Sequence, residues 1–151
     1  MSAPLRTCLW MADRAEEAAA FYVSLFPDSR VERVVRPRAD VALVDFTLRG
    51  APFQILEARG PVRLNNAASV SVLTQDQAET DRLWAALTDG GEEIVCGWLC
   101  DRFGLSWQIA PRRFVELLSS PDKAAVARGM AAMETMKKLD LAALEKAFAG
   151  A

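Results

Sequence analysis

The sequence predicts an α+β fold in which a strand–helix–three-strand module is repeated and then followed by a helical tail. Three observations carry this reading. At an offset of 62 residues, Phe21-Tyr22 falls on Leu83-Trp84, Leu25 on Leu87, and Thr7–Met11 on Ser69–Leu73. At an offset of 54, Gly50-Ala-Pro-Phe-Gln-Ile55 falls on Gly104-Leu-Ser-Trp-Gln-Ile109, a shared Gly-x-x-aromatic-Gln-Ile pattern. The difference between the two offsets calls for a shortened strand in the second copy, right after Gly91. The modules run over about 5–57 and 69–110, the tail over about 112–149, all within a single domain spanning 1–151.

The elements follow in order. Arg6–Met11 reads as a strand, with Thr7, Leu9 and Met11 on one face and Cys8 and Trp10 on the other. Asp13 is the expected N-cap of a helix running to Phe26, whose Ala18, Phe21, Tyr22 and Leu25 keep helical spacing. Pro27-Asp28 ends it, and strands follow near Val31–Arg36, Val41–Leu48 and Pro52–Glu57, with a turn at Arg49-Gly50. Gly60-Pro61 and Asn65-Asn66 mark a linker over 58–68. The pattern then restarts with a strand at Ser69–Leu73 and a helix over Gln75–Thr88, which Gly90-Gly91 stops. In the tail, Val126, Met130 and Met133 form an apolar stripe, and Asp140 caps a last helix through Phe148.

Composition excludes several functions. The chain has 151 residues, 52% of them hydrophobic, with 18 basic against 20 acidic side chains, an ordinary globular balance. No basic cluster is concentrated enough for nucleic acid. No apolar run approaches the roughly 20 residues of a membrane helix, and the start lacks an apolar signal core, so a cytoplasmic protein with no membrane partner is expected. Three cysteines fit a reducing compartment. On one strand, Cys96 and Cys100 would lie about 13 Å apart, too far for a disulfide. There is no histidine at all. Imidazole-based triads, dyads and metal sites are therefore absent.

Five stretches carry a more specific likeness: Ala15-Glu-Glu-Ala-Ala-Ala-Phe-Tyr22, Leu25-Phe-Pro-Asp-Ser29, Cys96-Gly-Trp98, Asp101-Arg-Phe-Gly-Leu-Ser-Trp-Gln-Ile109 and Lys138-Leu-Asp-Leu-Ala-Ala-Leu144. With the duplication, they resemble the vicinal oxygen chelate superfamily of glyoxalase I, bleomycin-resistance proteins and extradiol dioxygenases. The nearest resemblance is to its PhnB-like subgroup, commonly labelled 3-demethylubiquinone-9 3-methyltransferase. The resemblance implies two βαβββ modules forming a curled mixed sheet around a central cavity, helices outside, and pairing into a homodimer. In metal-dependent relatives four ligands come from the leading and closing strands, which here implies Thr7, Gln54, Ser69 and Gln108. Neutral hydroxyl and amide oxygens are poor ligands for a transition metal, so neither a metal nor another cofactor is expected.

Side-chain alternation then sorts the strands. Leu105, Trp107 and Ile109 face helices, while Ser106, Gln108 and Ala110 face the cavity. Phe53 and Ile55 against Gln54 repeat the pattern. Cys8/Trp10 and Val70/Val72 are the expected helix-facing pairs of the leading strands. Thr7, Leu9, Met11, Ser69, Ser71 and Leu73 then complete the cavity. Trp10, Trp84, Trp107 and Phe53 are expected as core. Gln54 and Gln108 form either a polar network or a ligand clamp, since an inward amide needs a partner. Cys96 and Asp101 are the titratable candidates for catalysis; against that, a packed thiol and a turn cap are the usual fates of such residues. Cys100 reads as a plain strand residue.

The sequence thus points to a protein that binds an unknown small molecule or acts as a metal-independent enzyme. Methyl transfer is disfavoured, because no glycine-rich strand-to-helix turn for S-adenosylmethionine is present. A structural or interaction protein with a filled cavity is the remaining alternative.

Overall fold

The computed structural model describes residues 3–151. The chain forms two compact units, Met1–Leu64 and Asn65–Ala151.

In the first unit β1 (Thr7–Met11) and α1 (Ala15–Leu25) precede β2 (Arg30–Arg38), β3 (Val41–Leu48) and β4 (Ala51–Ala58). The sheet order is β1-β4-β3-β2, with β1 parallel to β4 and the other pairs antiparallel. Arg49 and Gly50, both at positive φ (47° and 80°), make the tight β3–β4 turn, as a two-residue hairpin matching the strand twist requires. Ala42, Val44, Phe46 and Leu48 of β3 and Phe53 and Ile55 of β4 are buried on the face that α1 covers. Tyr22 meets Phe46 at 6.2 Å between ring centroids, and Phe46 stacks on Phe53 at 5.4 Å.

The helix start differs from expectation. Arg14, not Asp13, is the N-cap; it is left-handed at φ 62° and offers no side-chain cap. The carboxylate of Glu57, at the end of β4, accepts the Ala15 N–H at 2.9 Å instead. A cap supplied from another strand has no local sequence signature.

The second unit repeats the topology: β5 (Ser69–Thr74), α2 (Gln77–Thr88), β6 (Glu92–Glu93), β7 (Trp98–Cys100) and β8 (Ser106–Pro111), ordered β5-β8-β7-β6. The shortened strand after Gly91 is β6. Asp76 caps α2 by accepting from Glu79 N, while Glu79 accepts from Gln75 N, a reciprocal arrangement that satisfies two donors at the helix start. Leu83, Trp84 and Leu87 of α2 pack with Val72, Trp107 and Ile109, and the Thr74 and Thr80 hydroxyls join strand to helix at 2.6 Å.

The tail is helical: α3 (Arg112–Leu117), α4 (Lys123–Met133) and α5 (Leu141–Ala149). Phe114, Leu139 and Leu144 form its core. Asp140 caps α5, accepting from Ala143 N. The buried line of α4 is Ala125 and Gly129, not the expected Val126, Met130 and Met133, which are half-buried. A Cβ at Gly129 would lie 3.4 Å from Phe114 and 3.6 Å from Phe148, in ordinary contact, so α4 turns its smallest residue toward these two rings. Among the described residues no helix is long and apolar enough to cross a membrane.

The leading strand of the first unit requires a correction. Thr7 pairs with Phe53, whereas Trp107, the repeat mate of Phe53, pairs with Val70. The leading strands therefore correspond at an offset of 63, while the helices keep 62. The first unit carries one extra residue between strand and helix, and left-handed Arg14 lies in that connection. A one-residue slip moves every side chain to the opposite face. Thr7, Leu9 and Met11 thus lie on the α1 side with Phe53 and Ile55; Leu9 and Met11 are buried core, and Thr7 is exposed on the edge strand. Cys8 and Trp10 lie on the face away from α1, the open face. Trp10 is 36% exposed, not core, and its indole N–H donates to Ala58 O at 2.7 Å.

Candidate functional site

The open face of the first unit centres on Asp45, which sequence reading did not single out. It sits in β3 opposite Gln54 and is 1% exposed. Gln54 donates its amide N–H to Asp45 Oδ1 at 2.7 Å. Arg33 donates twice to Oδ2, at 3.0 and 2.8 Å, and Arg6 reaches Oδ1 at 2.7 Å. Burial pushes the Asp45 carboxyl up. The hydrogen bonds from Gln54, Arg6 and Arg33, with the charge of Arg6, outweigh it and hold the group below the usual carboxylate range. One signal was available: Asp45 is the only charged residue in the apolar run Val41–Leu48.

The corrected register also changes the expected ligand set. Arg6, not Thr7, occupies the position equivalent to Ser69. The four positions are therefore Arg6, Gln54, Ser69 and Gln108. A guanidinium repels a metal cation, and the one carboxylate nearby is already shared by two guanidiniums. Among the described residues no group of three or more Cys, Asp or Glu could hold a metal ion. The donor set does not fit a transition metal.

In the second unit the expected faces hold. Ser69, Ser71, Ser106 and Gln108 lie on the open face, with Val70, Val72, Trp107 and Ile109 opposite. Gln108 donates to Ser69 Oγ at 2.8 Å. Ser106 is buried and hydrogen-bonds Asn66 Oδ1, so Asn66 does more than shape the linker. Ser71 is exposed. Each glutamine is thus engaged within its own unit.

Asp101 is 3% exposed and fully occupied. Its Oδ1 accepts from Phe103 N (2.8 Å) and Leu105 N (3.1 Å), and its Oδ2 accepts the Trp107 indole N–H (2.8 Å). It closes the β7–β8 turn and anchors the largest core side chain. Burial, with the charges of Asp101 and Glu92, pushes the Cys100 thiol up. Cys96 is half-buried with φ at 60°, and its N–H donates to Met136 O at 2.7 Å. Next to it, Gly97 donates to Lys137 O at 2.8 Å.

Those two bonds bring the tail over the end of the second sheet. Gln77 of α2 grips the same segment, donating to Leu139 O (3.0 Å) and accepting from Leu141 N (2.8 Å), and Lys138 pairs with Asp81 at 2.6 Å. Between sheet and tail lies a cavity of about 200 Å³, lined by Cys96, Trp98, Gln108, Ile109 and Ala110 on the sheet side, and by Phe114, Val115, Leu118, Met133 and Leu139 of the tail. Three residues of the Cys96-to-Gln108 stretch meet there. The tail wall was not foreseen.

Two βαβββ units, each with one parallel strand pair in a four-stranded mixed sheet and the helix on one face, define the vicinal oxygen chelate fold. The profile of the 3-demethylubiquinone-9 3-methyltransferase family matches residues 3–110, and the chain belongs to that family. Among solved structures it is similar to the PhnB protein of Bacillus cereus, at 26% identity and TM-score 0.67 over 72% of this chain and 99% of that one. Protein PA1353 of Pseudomonas aeruginosa shares 19% identity with a TM-score of 0.61, over 73% and 98% of the two chains. The fosfomycin resistance protein FosX of Mesorhizobium loti shares 12% with a TM-score of 0.57, over 80% and 99%. No curated protein matches the chain.

Proposed function

We propose that the protein binds a small organic molecule on the open face of its second unit, without a transition metal, and that binding is its activity. The observation that supports this is the cavity at Gln108: a mostly apolar space with one amide in its wall, the usual make-up of a ligand pocket. Ser69 fixes the amide from the neighbouring strand, and Ser71 and Ser106 extend the polar strip beside it. In the first unit, Gln54 belongs to the Asp45 ion cluster and holds that face together; Leu9 and Met11 belong to the core.

Methyl transfer is not assigned, despite the family's description. The strand-to-helix connections, residues 12–14 and 75–76, contain no glycine that would let a cofactor approach the backbone. Nor is a proton-transfer role given to Asp101, whose two oxygens serve the turn and Trp107. A cytoplasmic homodimer is part of the proposal: the outer strand β2 leaves Val31 and Val34 exposed at a sheet edge, which a second copy would cover.

Two measurements test the reading. Elemental analysis of the purified protein is expected to return far less than one transition metal per chain; a full equivalent lost in Gln108→Ala would refute the metal-free site. A thermal-shift screen of small molecules is expected to find stabilisers whose effect Gln108→Ala abolishes. Stabilisers indifferent to Gln108→Ala would move the site elsewhere.

A further inference from the structure

We infer that the ligand of this pocket is a compact, uncharged, single-ring molecule carrying one hydrogen-bond donor, and that the helical tail takes a direct part in this choice. The inference rests on the binding function proposed above and narrows it to a chemical class.

Size comes first. A dry cavity of roughly 150 Å³ in a protein core takes up benzene. The space here, about 200 Å³ and partly open to solvent, seats one ring with a small substituent. Charge comes next. None of the ten lining residues carries a carboxylate, ammonium or guanidinium group. An ionised ligand would lose its hydration with nothing to replace it. The ring itself is favoured by Trp98 on the sheet side and Phe114 on the tail side, two flat faces for offset or edge-on packing.

The polar end is set by Gln108. One amide N–H is committed to Ser69 Oγ. The amide oxygen, which has no hydrogen-bond partner among the described residues, is left to accept. The second amide N–H is left to donate as well, so a hydroxyl, which can answer both groups, is preferred over an ether, which answers only the N–H, and over a bare hydrocarbon, which answers neither.

The tail supplies five of the ten lining side chains, all beyond residue 110, where the family match ends. The backbone bonds from Cys96 and Gly97, the grip of Gln77 and the Lys138–Asp81 pair hold that wall in place. The tail wall therefore takes a direct part in ligand choice, while the sheet within the family match supplies the amide.

The test uses the full chain and three probes, phenol, benzene and benzoate, followed by calorimetry and ligand-observed saturation-transfer NMR. Phenol is expected to bind saturably, benzene about fivefold more weakly for want of the hydrogen bond, and benzoate not at all. Ala110→Leu fills the cavity from the sheet side and is expected to abolish phenol binding while the melting temperature holds. Should that variant fail to fold, Gln108→Leu serves independently: it is expected to keep benzene and erase phenol's advantage. Benzoate binding as well as phenol, or phenol binding unchanged in a folded Ala110→Leu or undiminished in Gln108→Leu, overturns the inference. If no single ring binds but the wider screen yields Gln108-dependent stabilisers, the ligand class is wrong and the binding function stands. If nothing binds, both fall.

Discussion

Asp101 offers the sharpest separation of a structural from a catalytic reading. Its carboxylate accepts three N–H groups: Phe103 and Leu105 in the turn, and the Trp107 indole in the core. Replacing it with alanine strands the Leu105 and Trp107 donors away from water, at about 1–3 kcal/mol each. The Phe103 donor is part-buried and costs less. The two buried donors alone sum to about 2–6 kcal/mol, a large part of the roughly 5–15 kcal/mol that typically separates folded from unfolded chains. Asp101→Asn is the finer probe. Its Oδ1 still serves the turn, but an amide N–H would face the indole N–H, donor against donor, at about 1.5–3 kcal/mol. Trp107→Phe removes the indole N–H, so Asp101→Asn should cost much less in that background. Urea denaturation followed by circular dichroism of the four proteins measures the coupling directly. If Asp101→Ala melts within about 0.5 kcal/mol of wild type, or the asparagine penalty is the same in both backgrounds, the structural assignment fails. In the folded Asp101→Asn protein, ligand affinity should be unchanged; a large loss there would restore a role at the site.

Three further outcomes follow from the geometry. The Asp45 carboxyl has a folded pKa below its ordinary 3.8, so its contribution is fully present above that value and is lost as the pH falls through the lower folded one; the stability gap between wild type and Asp45→Asn should narrow below about pH 4, and a gap constant from pH 7 to pH 2 would contradict it. Gly91 has no room for a methyl group, since a Cβ would sit 2.3 Å from Cys100 O and 3.0 Å from Asp101 Cα; Gly91→Ala should lower the melting temperature clearly, and an unchanged melt would refute the close approach. Light scattering should return twice the chain mass of 16.5 kDa at micromolar concentration, and a value near one chain would refute the dimer.

How far the sequence could be read is clearest where the two copies differ. The helices, the β4 and β8 strands and the shortened β6 were legible because they rest on local spacing: Tyr22 and Trp84, Phe53 and Trp107 recur at fixed offsets and end up buried in the same roles. The cap of α2 has a local signature, Asp76 and Glu79 inside one turn, but the sequence reading began that helix at Gln75 and passed over it. That of α1 has none, because Glu57 arrives from a strand 42 residues away. The tail's helices were legible and their packing was not. Their stripe was read as Val126, Met130 and Met133, but the residues α4 buries are Ala125 and Gly129, and only the partners Phe114 and Phe148 reveal that line.

The site was misread for one reason with two consequences. Matching the leading strands at the helix offset assumed equal connections, and the first unit has one residue more. That residue turned Leu9 and Met11 inward to the core and brought Arg6 and Cys8 to the open face beside Gln54. With Arg6 in place, Asp45 ceases to be an odd acid in an apolar strand and becomes the centre of a satisfied cluster, because a buried carboxylate survives only when paired. In the second unit no such acid exists: Trp98, an indole, stands across from Gln108 in β7. The same amide is therefore spent on an internal ion cluster in one copy and lines a cavity in the other. Both copies carry the amide; what stands opposite it, and whether a tail closes over it, is why the proposed binding is assigned to the second copy.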